Sequence, residues 1–261
     1  HQLAAGDFST RVKVDSEDEL GKLAQDFNQL AMTLEKNEQM RRAFMADISH
    51  ELRTPLAVLR GELEAMQDGV RKMSVGSLES LQSEVAILTK LVDDLHQLSL
   101  SDAGALAYRK VDTDVVHLVQ LAEAGSRDRF HSKQLTLTSQ LPEKADVFGD
   151  PQRLSQLFNN LLENSLRYTD PNGGLEILGE IRDKSLHLIF QDSAPGISDE
   201  QLIRIFERFY RTEGSRNRAS GGSGLGLAIC QNIVEAHGGQ ISASHSPAGG
   251  VRITIVLPLS V

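Results

Sequence analysis

The chain has 261 residues, 40% hydrophobic and 24% charged, with a formal net charge of −9 at pH 7. That length suits two compact units better than one, and the acidic balance argues against nucleic acid or anionic lipid as partner. The single cysteine, Cys230, excludes an intrachain disulfide and suits a reducing compartment. No apolar run reaches the ~20 residues that span a bilayer, no signal peptide is visible, and no His/Cys cluster has metal-ligand spacing.

Residues 1–14 read as a strand or linker remnant. Ser16, followed by Glu19 three residues on, is a candidate N-cap. Leu20, Leu23, Phe27, Leu30 and Leu34 alternate spacings of three and four, a coiled-coil seam. Phe44, Ile48, Leu52, Leu56, Leu59, Leu63, Met66 and Val70 carry a similar stripe onward. A single helix over residues 16–68 would be about 80 Å long. The segment 69–77 holds two glycines and reads as a turn. A second stripe follows at Leu78, Leu81, Val85, Leu88, Val92, Leu95 and Leu98. Two such helices make a hairpin with too little core to stand alone. Two hairpins make a four-helix bundle, which predicts a homodimer; the alternative is an intramolecular antiparallel coiled coil.

From Tyr108 the pattern is mixed. Short alternating runs at 135–137, 175–177, 186–190, 240–243 and 251–257 predict strands. Helical patterns fall near 114–129, 151–168 and 225–237. Their irregular interleaving favours an α/β sandwich over a doubly wound sheet. Gly104 and small residues at 101–107 read as a hinge.

The chemistry begins at Phe44–Leu56. Phe44, Ile48, Leu52 and Leu56 share one helix face, and His50 lies roughly 200° from Ile48, on the opposite face. Thr54 follows His50 by one turn, so its hydroxyl can stand beside the imidazole. Pro55 removes the helical partner of the Glu51 carbonyl and predicts a kink. A neutral, accessible imidazole is a competent nucleophile. This stretch resembles the H box of sensor histidine kinases.

The remaining motifs of that family follow in order. Asn160-Leu161-Leu162-Glu163-Asn164-Ser165-Leu166-Arg167-Tyr168 resembles the N box. Asp192-Ser193-Ala194-Pro195-Gly196-Ile197 resembles the G1 box, with Ala194 where glycine is usual. Phe206-Glu207-Arg208-Phe209-Tyr210-Arg211 resembles the F box, and Gly222-Ser223-Gly224-Leu225-Gly226-Leu227 the G2 box. Asp18-Glu19-Leu20-Gly21 resembles the end of a HAMP signal-relay domain.

The resemblance implies a multi-domain fold: an all-α dimerising hairpin, then an α/β sandwich ATP-binding domain of GHKL type. Residues 1–37 would be the second half of a HAMP-like linker. Residues 38–104 would carry dimerisation and phosphotransfer, and 105–261 catalysis. It implies ATP and Mg2+ as cofactors, with Asn160 the Mg2+ ligand, Asn164 beside the phosphates and Arg167 reaching toward them. Asp192 would accept a hydrogen bond from the adenine amino group. Tyr168, Gly196, Ile197, Gly222, Gly224, Leu225, Gly226 and Leu227 would line the nucleotide. Arg204 to Arg218 holds five Arg and two Glu, so Arg211 and Arg216 are candidate phosphate contacts. The Gly/Ser-rich run 214–224 would be a mobile lid.

In this family His50 would take the γ-phosphoryl group with Glu51 orienting it, and pass it to an aspartate of a response regulator. Thr54 would hold a water for the reverse dephosphorylation. The chain would be the cytoplasmic portion of a bacterial inner-membrane receptor, touching membrane only through upstream segments. An inactive signalling scaffold and a simple ATPase are the rival readings.

Overall fold

The computed structural model describes residues 7–14, 18–212 and 222–260. It divides into two compact units, His1–Leu88 and Thr89–Val261. The first is helical. Helix α1 spans Glu19–Gln67 and α2 spans Val75–Asp102, so α2 begins in one unit and ends in the other.

Asp18 is the N-cap of α1, accepting from the Leu20 and Gly21 N–H groups at 3.1 Å each. The expected cap Ser16 lies outside the described residues. Residues 7–14 form no strand. They are irregular chain held to α1 by Asn28, which accepts from Val12 N–H and donates to its carbonyl. The helix continues through Pro55. It ends at Asp68 and Gly69, where φ is +71°, a conformation suited to glycine. Helix α2 starts inside the expected turn because Ser74 and Ser77 cap it: Ser77 N–H donates to Ser74 Oγ at 3.2 Å, and Ser74 N–H to Ser77 Oγ at 2.8 Å.

The second unit is an α/β sandwich. Its strands are β1 (Val111–Asp114), β2 (Thr136–Gln140), β3 (Asp146–Gly149), β4 (Gly174–Arg182), β5 (Ser185–Ser193), β6 (Gln240–His245) and β7 (Gly249–Pro258). Its helices are α3 (Val115–Ser132), α4 (Pro151–Tyr168), α5 (Asp199–Arg204) and α6 (Gly226–Ala236). The main sheet runs β2-β4-β5-β7-β6; β2 is parallel to β4 and the other pairs are antiparallel. Strands β1 and β3 form a separate antiparallel ribbon. That ribbon and α5 escaped the sequence reading because each is only four to six residues long.

One sheet face is apolar and buried: Leu175 and Ile177, Leu186, Leu188 and Phe190, then Ile253, Ile255 and Leu257. Helix α4 meets it with Leu154, Leu157, Phe158, Leu161, Leu162 and Leu166. Phe158 stacks on Phe190 with ring centroids 6.1 Å apart. Asp114 caps α3, and Asp150 caps α4 ahead of Pro151.

The end of α2 belongs to this unit. Leu91, Asp94, Gln97 and Leu98 are buried, whereas Val92 of the expected stripe is 53% exposed. Gln156 donates to Gln97 at 2.8 Å, Asn232 to Ser101 at 3.1 Å, and Arg208 grips Asp102 through both guanidinium nitrogens. The compact division therefore falls at 88/89, and the expected hinge at 101–107 lies inside the second unit.

His237 closes the core at the end of α6. Its Nε2 accepts from Asp150 N–H at 2.9 Å, so Nδ1 carries the proton and donates to the Ile233 carbonyl at 2.6 Å. Burial lowers its pKa below the ordinary histidine value. Protonation is thus harder in the fold than in the unfolded chain. The stability His237 contributes is complete above pH ~6.5 and is lost as pH falls below it. In thermal melts from pH 8 to 5, His237→Gln should start lower and lose less on acidification than the parent. Equal losses would remove His237 from the acid response.

Candidate functional site

His50, Glu51 and Thr54 lie on α1, in the first unit. His50 and Thr54 are exposed and Glu51 is half-buried. The Thr54 hydroxyl donates to the backbone carbonyl of His50 at 3.3 Å. This is a back-bond to the preceding turn; the side chain thus touches His50 through its backbone.

The other predicted residues that the structure describes lie in the second unit, on the C-terminal half of α4, at the end of β5 and in the F and G2 boxes. Asn160, Asn164, Arg167 and Tyr168 are all half-buried on α4. The Asn160 amide sits against the thiol of Cys230, and its Nδ2 is enclosed with no hydrogen-bond partner. Cys230 is fully enclosed and its thiol is pushed up to about 12 by burial, which rules it out as a nucleophile. Arg167 donates to Glu163 at 3.5 Å, and Glu163 also accepts from Arg129 of α3 at 2.7 Å. The Arg167 guanidinium fills the space where a side chain on Gly222 would stand. Arginine of the N box and glycine of the G2 box are therefore neighbours.

Asp192 stands at the end of β5. Its Oδ1 accepts from Val251 N–H at 2.6 Å and its Oδ2 from the Ser165 hydroxyl at 3.3 Å. Burial is the largest influence and pushes its pKa up to about 6, against those hydrogen bonds. Gly250 of β7 lies so close that a Cβ there would strike the Asp192 carboxylate. Gly196 is exposed and approaches the Gly249 carbonyl; a Cβ would meet that oxygen at 2.7 Å. Ile197 is half-buried. Ala194 has no positive φ, so the backbone tolerates alanine where the family pattern has glycine. Its carbonyl accepts from Asp170 N–H at 3.1 Å, closing the site's floor.

The F and G2 boxes also meet. Phe209, at φ +58°, donates its N–H to the Gly224 carbonyl at 3.0 Å. Gly224 has φ +71°, and a Cβ there would lie 2.8 Å from Phe209 Cα and carbonyl carbon. Arg204 covers the Tyr210 ring at 4.4 Å, a cation–π contact. Leu225 is buried in the core, so only its backbone faces outward, and its N–H is taken by Ser223 Oγ at 3.3 Å. Gly226 opens α6, and Leu227 and Arg211 are half-buried. Arg216 and most of the 214–224 lid lie outside the described residues.

The sequence reading missed Ser165, Gly250 and Glu163. Ser165 adjoins Asn164 in the N box, and the Gly249-Gly250 pair interrupts an otherwise apolar strand. Both signals were present; what they touch is a matter of fold.

The residues fit a magnesium nucleotide. Asp192 offers acceptors backed by fixed donors, Asn160 brings a neutral amide oxygen of the kind a hard cation takes, and the glycines leave the backbone open. Among the described residues, a mixed sheet packed against helices, with a carboxylate at a strand end and a glycine-rich turn opening a helix, defines a GHKL-type nucleotide domain that follows a histidine-bearing helix in sequence. Residues 149–261 match the family described as histidine kinase-, DNA gyrase B-, and HSP90-like ATPase. Residues 40–104 match the His Kinase A (phospho-acceptor) domain and residues 1–36 the HAMP domain.

The chain belongs to the histidine kinase family. It is 70% identical over 259 residues to the signal transduction histidine-protein kinase BaeS of Escherichia coli (strain K12), covering 99% of this chain and 56% of that one. The sensor protein SrrB of Staphylococcus aureus is 33% identical over 231 residues, 87% of this chain and 40% of that one. The solved structure of Acinetobacter baumannii histidine kinase AdeS is 30% identical, with TM-score 0.70, covering 81% of this chain and 98% of that one. The chain spans about half the length of the curated relatives it matches.

Gly224→Ala should lower the melting temperature by several degrees, because the new Cβ meets backbone and φ is positive. Gly226→Ala meets nothing within 4 Å and should melt at or above the parent temperature. Differential scanning calorimetry on the two variants checks both; equal melting would mean that the F-box backbone yields freely.

Proposed function

We propose that this chain is the kinase portion of a two-component sensor. On this reading it autophosphorylates His50 with ATP and passes the phosphoryl group to an aspartate of a response regulator. The observation that carries it is Asp192: a half-buried carboxylate, held by Ser165 and Val251, with acceptor capacity left for the adenine amino group. The match of residues 40–104 to a phospho-acceptor domain supports His50 as the acceptor. Bound magnesium ATP supplies the phosphoryl group and offsets charge on the phosphates.

The chain's own residues do the rest. His50 attacks through an unprotonated ring nitrogen, and Glu51 orients or deprotonates the imidazole. Asn160 would hold Mg2+, with Asn164 and Arg167 toward the phosphates and Arg211 and Arg216 as further contacts. At Asn160 an amide cannot activate water as a carboxylate base would, so the nucleotide waits for His50. Tyr168, Gly196, Ile197, Gly222, Gly224, Leu225, Gly226 and Leu227 complete the pocket wall. Thr54 assists dephosphorylation of the regulator by placing a water.

The relatives support a partner and a location. Leu56 and Leu63 of α1 and Leu78 and Val85 of α2 are exposed, apolar positions of the hairpin that a second copy would cover as a four-helix bundle. The likeness to BaeS supports a BaeR-like regulator and a cytoplasmic position beneath a membrane sensor. No helix among the described residues is long and apolar enough to cross a membrane. Residues 1–37, 38–104 and 105–261 would serve as relay, phosphotransfer and catalytic segments.

His50→Ala should abolish acid-labile, base-stable label from γ-labelled ATP while leaving ATP affinity nearly unchanged. A tenfold loss of affinity would contradict the assignment of His50 to phosphotransfer alone. Unchanged label would mean a different acceptor, and no label on the parent would leave a simple ATPase. Thr54→Ala should keep kinase activity and lose most regulator dephosphorylation; equal loss of both would make Thr54 structural.

Nucleotide choice gives a further test. Adenine presents a donor to Asp192 where guanine presents an acceptor, and an unpaired buried polar group costs about 1–3 kcal/mol. ATP should therefore bind at least roughly tenfold more tightly than GTP. Asp192→Asn should weaken ATP and narrow that ratio in calorimetric titrations; an unchanged ratio would leave Asp192 a turn-capping residue.

A further inference from the structure

Asp192 is backed by two donors of different kinds. Val251 N–H comes from the β7 backbone and cannot be varied by side-chain substitution. The Ser165 hydroxyl comes from α4, one position beyond Asn164. Ser165 is 5% exposed, and its Oγ lies 3.3 Å from Asp192 Oδ2. A buried hydroxyl can donate or accept, depending on the rotation of its hydrogen. Against an ionised carboxylate only donation is favourable, which makes the bond charge-assisted.

We propose that Ser165 is a positioning residue for the nucleotide: its hydroxyl holds Asp192 ionised and oriented, so that the carboxylate presents acceptors alone to the base. This deepens the nucleotide reading above and rests on it.

The environment makes that hydroxyl matter. The polar groups that face Asp192 are the Ser165 hydroxyl from α4, the Val251 N–H from β7 and the residue's own backbone. Its register partner on β4 is Leu175. Among the described residues no charged side chain influences it, so its ionisation depends there on burial against these donors. Burial wins and brings the carboxyl to about 6, close enough to neutrality that loss of one donor changes its charge under working conditions. A hydrogen bond to a charged group is worth roughly a factor of ten, or about one pH unit.

The test is ATP affinity across pH 5.5–8.5, by isothermal titration with the whole chain, for the parent, Ser165→Ala and Asp192→Asn. The nucleotide's own ionisation is common to all three and cancels in their ratios. For Ser165→Ala, the dissociation constant relative to the parent should be near one at pH 8.5. It should rise to about fivefold at pH 6, as expected for a midpoint raised by about one unit. A purely structural role would weaken binding by one factor at every pH. Should Ser165→Ala fail to fold, Ser165→Cys replaces it; the thiol is a weaker donor and should give a smaller shift in the same direction. A ratio constant across pH, in a protein whose Asp192→Asn variant has lost ATP affinity, would overturn the role of Ser165 alone. An Asp192→Asn variant that binds ATP like the parent would overturn the adenine reading, and this proposal with it.

Discussion

The packing of α4 on β5 is the constraint from which the site derives. Phe158 stacked on Phe190 fixes one near the middle of the other. Two turns further along α4, Ser165 arrives at Asp192, and Arg167 reaches the start of the G2 turn. Burying six large apolar side chains from one helix face stabilises the unit by several kcal/mol. That stabilisation is what permits Asn160, Asn164 and Ser165 to sit half-buried or buried on the same helix. A burial-raised carboxylate at the strand end is destabilising by itself, and it persists because the frame around it is rigid.

The glycines of this chain serve that frame in two distinct ways. Gly224 needs its left-handed backbone and the absence of Cβ against Phe209, so it is structural whatever binds nearby. Gly226 has open space beside it and no such need. One motif thus mixes residues required for folding with residues whose smallness faces outward, and a pattern of glycines alone does not separate them.

Much of the fold was legible beforehand because its signals are long. The long helix α1, the helices near 114–129, 151–168 and 225–237, and the alternation of β4, β5 and β7 all appear where they were read. Three failures have physical causes. The β1–β3 ribbon and α5 are too short for periodicity to show. At the end of α2, Val92 of the expected stripe is exposed and Leu91 and Asp94 are buried instead, alongside the expected Leu98, where polar contacts to Gln156, Asn232 and Arg208 hold the helix. At the site, motif order pointed to Asp192 and Asn160. The partners that tune them could not be seen, since Ser165 and Val251 are 27 and 59 residues from Asp192 in sequence.

The enclosed Cys230 gives this protein a built-in clock. It is the chain's single thiol, it lies in α6 against the backbone of α4, and burial keeps it from forming a thiolate at ordinary pH. An alkylating reagent can reach it only when α4 and α6 part. The rate of labelling therefore reads the opening of the layer that carries the nucleotide residues. Any ligand that bridges the N and G2 boxes would slow that rate, whether or not phosphoryl transfer takes place.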